Sequence, residues 1–246
     1  IEIRAIHILE NINGEGTSLP WDPSAIERHA AIIGVHLHDG PTSASGGFAE
    51  ARRTIEECET FCKAQSITFS SGFMFGRLVD RLMELENSDL LVLGKGRFGH
   101  AGVGTTTRRL LHHAPCPVLI VSGRMLPLNR IVCAFDGGSA ADRVLSVGQT
   151  LARQTSWPLT ILAVADRLTL SEALEEAQRR IPDAHIIACG PEGRDEVSQI
   201  EKAASLARLG LMIVPAFSDS WISKVLHGGM LGNLLARTDA PILFVH

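Results

Sequence analysis

The sequence predicts an α/β protein made of two tandem doubly wound domains, each a five-stranded parallel sheet with helices on both faces. Three observations predict it. The chain repeats itself: "LLHHAPCPVLIV" (Leu110–Val121) aligns with "LLARTDAPILFV" (Leu234–Val245), and "DLLVLG" (Asp89–Gly94) with "GLMIVP" (Gly210–Pro215). Short apolar runs alternate with segments of helical apolar spacing. The short runs are rich in Val, Ile and Leu with little polar alternation, as strands covered on both faces are.

In the first half the strands read "IRAIHIL", "IIGVHLH", "SITFS", "LLVLG" and "VLIV", and the helices "FAEARRTIEECETFCKA", "FGRLVDRLMEL" and "TTRRLLHH". Between the first two strands, Gly14, Gly16, Pro20 and Pro23 break the helix that the pattern calls for. Only Pro23 to Ala30 can be helical, so residues 10–30 are expected to be irregular and mobile. In the second half "RIVCAFD", "LTILAVA", "AHIIAC", "LMIV" and "ILFV" read as strands. "SAADRVLSVGQTLARQ", "LSEALEEAQRRI", "DEVSQIEKAASLARL" and Met230–Arg237 read as the helices between them. The domains are placed at 1–123 and 130–246, joined by a linker at 124–129.

Composition excludes several classes of function. The chain of 246 residues is 45% hydrophobic and 20% charged, with a net charge of −4, which is an ordinary globular balance. No basic stripe suggests nucleic acid. No apolar run approaches the roughly 20 residues that span a bilayer, so no membrane partner is expected. The opening "IEIRAIHILE" has no basic n-region and does not read as a signal peptide. Five cysteines at scattered spacings argue for a reducing, cytoplasmic setting and against a disulfide framework.

The glycine-rich stretch after the fourth strand carries the main functional question. Gly94, Gly96, Gly99, Gly102 and Gly104 fall within eleven residues, followed by Thr105 and Thr106 at the start of a helix. Gly94 to Gly99 formally match G-x-G-x-x-G. The match follows the fourth strand and not the first, opens no helix at Gly99, and has no acid some 20 residues on to hold a ribose. A P-loop also fails, because Thr105 stands where its lysine would be. Two readings stay open: a cradle for an anion, made by backbone N–H groups and a helix start, or a set of turn-permitting glycines with Thr105 as a cap.

At this point the chain resembles the universal stress protein family. The resemblance rests on the strand followed by spaced glycines and Gly-Ser/Thr, on "HAPCPVLIV", and on "RIVCAFDGGSAADRVLSVGQTLA" in the second copy. It covers nearly the whole chain as a tandem pair. The family implies five parallel strands and, in nucleotide-binding members, an Asp after the first strand and an apolar residue ending the second that hold adenosine. The glycine loop then holds the phosphates. In the first copy Gly94, Gly104 and Thr105 match, with an interval three residues short that Gly96 and Gly99 could make good. The Asp position falls near Glu10, and Leu37 falls at the adenine contact. In the second copy Asp136 and Val164 match. There Pro215 and Ser218 replace the two glycines and Gly229 replaces Ser/Thr, so that site is expected to be weak or lost.

The implied ligand is ATP or AMP, with Mg²⁺ only alongside ATP. The implied function is a regulatory, stress-response one, centred on the first domain. The rival is a tandem scaffold acting through protein contacts or an apolar ligand. No nucleophile–base pair has readable spacing, so no catalytic residue is assigned and activity is at most a slow ATPase. His36, His38 and Asp39 tempt as metal ligands, and His36 and His38 share one strand face. No third ligand is evident in the sequence, and no metal site is assigned. The domains are expected to pair within the chain, with "VLIV" and "ILFV" antiparallel, and a homodimer is compatible with this.

Overall fold

The computed structural model describes residues 2–9, 31–36, 44–75, 78–83, 88–94, 111, 113–122, 127–135, 137–138, 140–164, 170–189, 205, 210–216 and 238–246. The expectation for residues 10–30 lies outside these, as do most of "TTRRLLHH", "DEVSQIEKAASLARL" and Met230–Arg237. The chain divides into two compact units, and the division within its fifth strand falls between Leu119 and Ile120.

The first unit contains strands β1 (Glu2–Leu9), β2 (Ala31–His36), β3 (Thr68–Phe75) and β4 (Ser88–Gly94). Strand β5 (Val118–Val121) lies beside β4. Its described helices are α1 (Ala44–Ala64) and α2 (Leu78–Met83). The second unit contains β6 (Arg130–Phe135), α3 (Ala141–Thr155), β7 (Leu159–Val164), α4 (Leu170–Arg180), β8 (His185–Cys189), β9 (Gly210–Pro215) and β10 (Ile242–Val245). Pairing is parallel at every described junction of both units. The α/β class read from the sequence is the one observed.

Burial explains why the strands read as unbroken apolar runs. Ile131 to Phe135 of β6 are all buried, as are Met212 to Pro215 and Ile242 to Val245. Successive residues point to opposite faces of a sheet, so burial of consecutive residues means that both faces are covered. The two largest departures from the predicted bounds are in α1 and β3. Helix α1 begins at Ala44 and not at Phe48, because Ala44–Gly47 carry no apolar signal from which periodicity could be read. Strand β3 runs on to Phe75, because all eight of its residues pair along β1, from Glu2↔Thr68 to Leu9↔Phe75.

The sheet orders of the two units are not the same. The second unit reads β8-β7-β6-β9-β10, with its first strand beside its fourth. The first unit reads β3-β1-β2-β4-β5, with its second strand beside its fourth. Side-chain chemistry accounts for the exchange. The slot beside the fourth strand is buried on both faces in the second unit, and "AIIGV" of β2 suits such a slot. Strand β1 carries Glu2 and Arg4. These find polar company toward the outer strand, where Arg4 Nε donates to Ser70 Oγ (3.4 Å), Ser70 Oγ donates to Glu2 Oε1 (3.5 Å), and Arg4 pairs with Glu2 at 3.9 Å.

One backbone hydrogen bond recurs in the two units. The Leu91 N–H donates to Pro117 O at 2.9 Å in the first copy, and the Met212 N–H donates to Pro241 O at 3.0 Å in the second. Leu91 therefore corresponds to Met212, as the sequence alignment has it.

Candidate functional site

In doubly wound sheets ligands sit beyond the carboxyl ends of the strands, where the strand order reverses. In the second unit that place is between β6 and β9. The turn out of β6 is tight: Gly137 has φ 70°, a left-handed value that glycine adopts at little cost, and Gly138 O accepts the Ala141 N–H at 3.1 Å. The cap residue Ala140 offers no side-chain bond to the first turn of α3.

The floor of this edge in the second unit is dry. Phe135, Ala163 and Ala216 are 0% exposed, Pro215 is buried, and the Ala216 N–H is committed to Val245 O at 2.8 Å. Across the ring of Phe135 lies the Arg180 guanidinium, 5.5 Å from the centroid and paired with Asp142 and Glu176. In the first unit Gly94 stands at the position of Pro215 and is half-buried, with nothing within 4 Å of where a side chain would begin. Its φ lies outside the left-handed region, so turning is not what requires a glycine there. Gly72, within the outer strand β3, is similarly open, but lies inside its strand and not at its end.

Of the residues singled out from the sequence, Gly94 ends β4 and Val164 ends β7. Leu37, Gly96, Gly99, Gly102, Gly104, Thr105, Thr106 and Asp136 lie outside the described residues, as does Glu10. Two of these follow described strand ends directly, Leu37 after β2 and Asp136 after β6.

Register shows which residues occupy equivalent positions. Ile33 pairs with Leu91, and Val132 pairs with Met212. Since Leu91 corresponds to Met212, Ile33 corresponds to Val132, and three residues on His36 corresponds to Phe135. His7 pairs with His36, and Ala163 pairs with Phe135, so His7 corresponds to Ala163. One residue further, Leu37 follows the inner strand as Asp136 does, and Ile8 corresponds to Val164. Chain order matched Glu10 to Asp136 and Leu37 to Val164. The register replaces that matching, because the first two strands of the first unit are exchanged. His7 and Ile8 are thus edge residues that the sequence reading missed, and they lie beside His36, which it had singled out. The contrast between charged β1 and uniformly apolar "AIIGV" was the available signal.

Three described thiols, Cys58, Cys116 and Cys133, are shifted away from activation. Burial pushes the Cys133 thiol up to about 12, and its Sγ donates to Val144 O at 3.6 Å. Burial also raises Cys58, helped by neighbouring Cys62 and Glu57. Cys116 is raised mainly by burial, against a lowering hydrogen bond with the Leu91 backbone. Among the described residues no three His, Cys, Asp or Glu side chains are grouped to hold a metal, and no helix is long and apolar enough to cross a membrane.

Comparison with known proteins agrees with this architecture. Residues 76–122 match the model of the universal stress protein family. The chain is 21% identical over 210 residues to universal stress protein Slr1230 of Synechocystis, covering 79% of this chain and 69% of that one. Among solved structures, a universal stress protein from Archaeoglobus fulgidus superposes with a TM-score of 0.63 at 17% identity, covering 98% of this chain and 95% of its own. A functionally unknown protein of Pseudomonas aeruginosa, PA1789, superposes with a TM-score of 0.56 at 16% identity, covering 98% and 92%.

Proposed function

We propose that the chain, whose residues 76–122 match the model of the universal stress protein family, is a stress-response regulator binding an adenine nucleotide at the carboxyl edge of its first unit. The observation that carries this reading is the contrast between Gly94 and Pro215. Gly94 ends its strand with open space where a side chain would be. Pro215, at the same point of the second unit, is buried and has no N–H to offer an anion. The glycines from Gly96 to Gly104 and the hydroxyls of Thr105 and Thr106 follow Gly94 in the chain. Such a run suits phosphates held by backbone N–H groups.

ATP or AMP is the expected ligand, and Mg²⁺ would accompany only ATP. Asp136 and Val164 keep the adenosine-holding residue types in the second unit. The buried Phe135, Ala163 and Ala216 at the ends of the neighbouring strands argue for a weak site there. Among the described residues no nucleophile–base pair is placed, and this reading expects slow turnover or none.

One observation favours the rival reading, a tandem scaffold that binds protein or an apolar ligand. Leu37, not a carboxylate, follows the inner strand of the first unit where Asp136 follows that of the second. Calorimetry with ATP, ADP and AMP separates the two. The nucleotide reading expects one site per chain that weakens at least about tenfold in Gly104→Val, since each lost charge-assisted hydrogen bond costs about 1.5–3 kcal/mol. No heat at millimolar nucleotide would leave the scaffold.

A further inference from the structure

We propose that Cys58 and Cys62 of α1 form a binding site for a soft cation that takes two ligands, with copper(I) as its representative. Both thiols are free; Cys58 is exposed and Cys62 is 2% exposed. They stand at i and i+4 of one continuous helix, Ala44–Ala64, and so share one of its faces.

Geometry decides which chemistry such a pair supports. Residues at i and i+4 of a helix hold their Cβ atoms about 5–6 Å apart. A disulfide needs about 3.5–4.5 Å, so closing one would deform the helix between the two residues. The end of α1 resists that. Cys62 O accepts the Gln65 N–H at 3.1 Å and the Ile67 N–H at 2.9 Å, which fixes the Cys62 backbone in the turn toward β3. The same separation suits one ion held between two sulfurs. With metal–sulfur distances of about 2.3 Å, a linear sulfur–metal–sulfur unit spans about 4.6 Å, which side chains at this spacing can bracket.

The donor count then selects the ion. Among the described residues no third His, Cys, Asp or Glu is grouped with the pair to hold a metal. Cations that demand three or four protein ligands, such as structural zinc, are not served. Soft thiolate donors favour copper(I), which two of them satisfy. Placement gives the ion a way in. Cys58 meets solvent and captures it first, and Cys62, buried where α1 packs on β3 and β1, makes the second bond away from water. Phe61 suits the same arrangement. It is an apolar ring, 62% exposed, on a helix whose exposed side chains are mainly charged. Three residues on from Cys58, it stands on the same face, where an aromatic ring can shield a bound cation. Binding exchanges two S–H bonds for two S–Cu bonds and releases two protons, with no change of oxidation state.

The test uses the intact chain and copper(I), without oxygen. Affinity is measured by competition with a chromophoric copper(I) chelator, and ligation is read by X-ray absorption. The expected result is one ion per chain with two sulfur neighbours. Affinity should fall about a hundredfold or more in Cys58→Ser, because the remaining thiol loses its intramolecular partner. Cys58 is exposed, so this variant leaves the core untouched. Cys62→Ala should lose as much, and Cys116→Ala should lose nothing. A second readout uses the unaltered protein: diamide, a thiol oxidant, should give no Cys58–Cys62 disulfide in the folded chain, as read by peptide mass spectrometry. Undiminished affinity in Cys58→Ser, a third sulfur neighbour, rapid formation of that disulfide, or no copper(I) retained against the chelator would each overturn the site. Nucleotide binding is measured separately and can fail without touching this result.

Discussion

The Cys133 sulfur occupies the space where a side chain on Gly148 would stand. Cys133 is 0% exposed in the middle of β6, and Gly148 is buried on α3. A methyl at Gly148 would overlap the Cys133 Sγ and meet Leu159 Cδ1 at 3.4 Å and Ile213 Cδ1 at 3.8 Å. A mid-helix glycine costs about 1 kcal/mol relative to alanine, so its presence here marks close helix–sheet packing.

Gly148→Ala should therefore destabilise the second unit by about 1–2 kcal/mol, overpacking outweighing the gain in helix propensity. Cys133→Ala removes the obstructing sulfur. The double variant should be more stable than the sum of the two single effects by about 1 kcal/mol or more. Urea unfolding monitored at Trp157 measures it. Additive effects would show that the overlap is relieved elsewhere.

Cys133 also sets an alkaline limit. Its thiol is held up to about 12 in the fold against an ordinary 9.0, because burial disfavours the thiolate. The stabilisation from this shift is fully present below pH 9 and is lost as pH rises toward 12, since the unfolded chain releases its proton first. Stability should fall by up to about 1.4 kcal/mol per pH unit above pH 9 from this group alone. Cys133→Ala should flatten that limb, and the absence of tyrosine removes the usual competing titration.

The same burial orders thiol reactivity. Cys58 is exposed, while Cys62, Cys116 and Cys133 are buried. In a short iodoacetamide pulse at pH 8, Cys58 should label first among these four, and more slowly than a free thiol because its ionisation is displaced upward. Cys133 should label only on unfolding. Mass spectrometry of the peptides reads the order.

Gly94→Ala separates a ligand role from a folding role. The new methyl meets nothing within 4 Å and the backbone is not left-handed, so stability should hold or rise by up to about 1 kcal/mol. If phosphates approach the backbone at this point, nucleotide affinity should drop while the melting temperature does not. Unchanged affinity would remove Gly94 from the site.

Two helices end on a strained serine. Ser66 has φ 55° after α1, where the Ile67 N–H donates to Cys62 O at 2.9 Å, and Ser156 has φ 58° after α3. Glycine adopts this conformation without the side-chain penalty. Ser66→Gly and Ser156→Gly should each raise stability by about 0.5–1 kcal/mol in thermal melts. A loss would mean that the serine contacts outweigh the backbone strain.

Much of the architecture was legible because its signals are local. Doubly buried strands such as "IVCAF" and "ILFV" cannot be mistaken for loops, and the repeat around Pro117 and Pro241 aligned the two copies correctly. Lateral strand order is a different kind of fact. Nothing in the spacing of β1 and β2 tells which lies inside, because the choice depends on which strand tolerates burial on both faces. Glu2 and Arg4 favoured an outer place for β1 and "AIIGV" an inner one for β2, but the residue matching followed chain order. The candidate site inherited that error at Glu10 and Leu37. That Gly94 and Val164 end strands was legible, because the neighbours of those strands follow from the repeat.

The prolines at the strand entrances have a consequence for alignment within the sheet. Pro117, Pro158 and Pro241 stand directly before β5, β7 and β10, and each offers its carbonyl to the strand alongside, at Leu91, Ile131 and Met212. Each residue there can accept but can never donate. A strand that slid along its neighbour would carry a nitrogen without a proton into the ladder, opposite a carbonyl that needs one. The prolines thus act as end stops. They hold strands of only four to six residues at a single offset, where so short a ladder could otherwise shift.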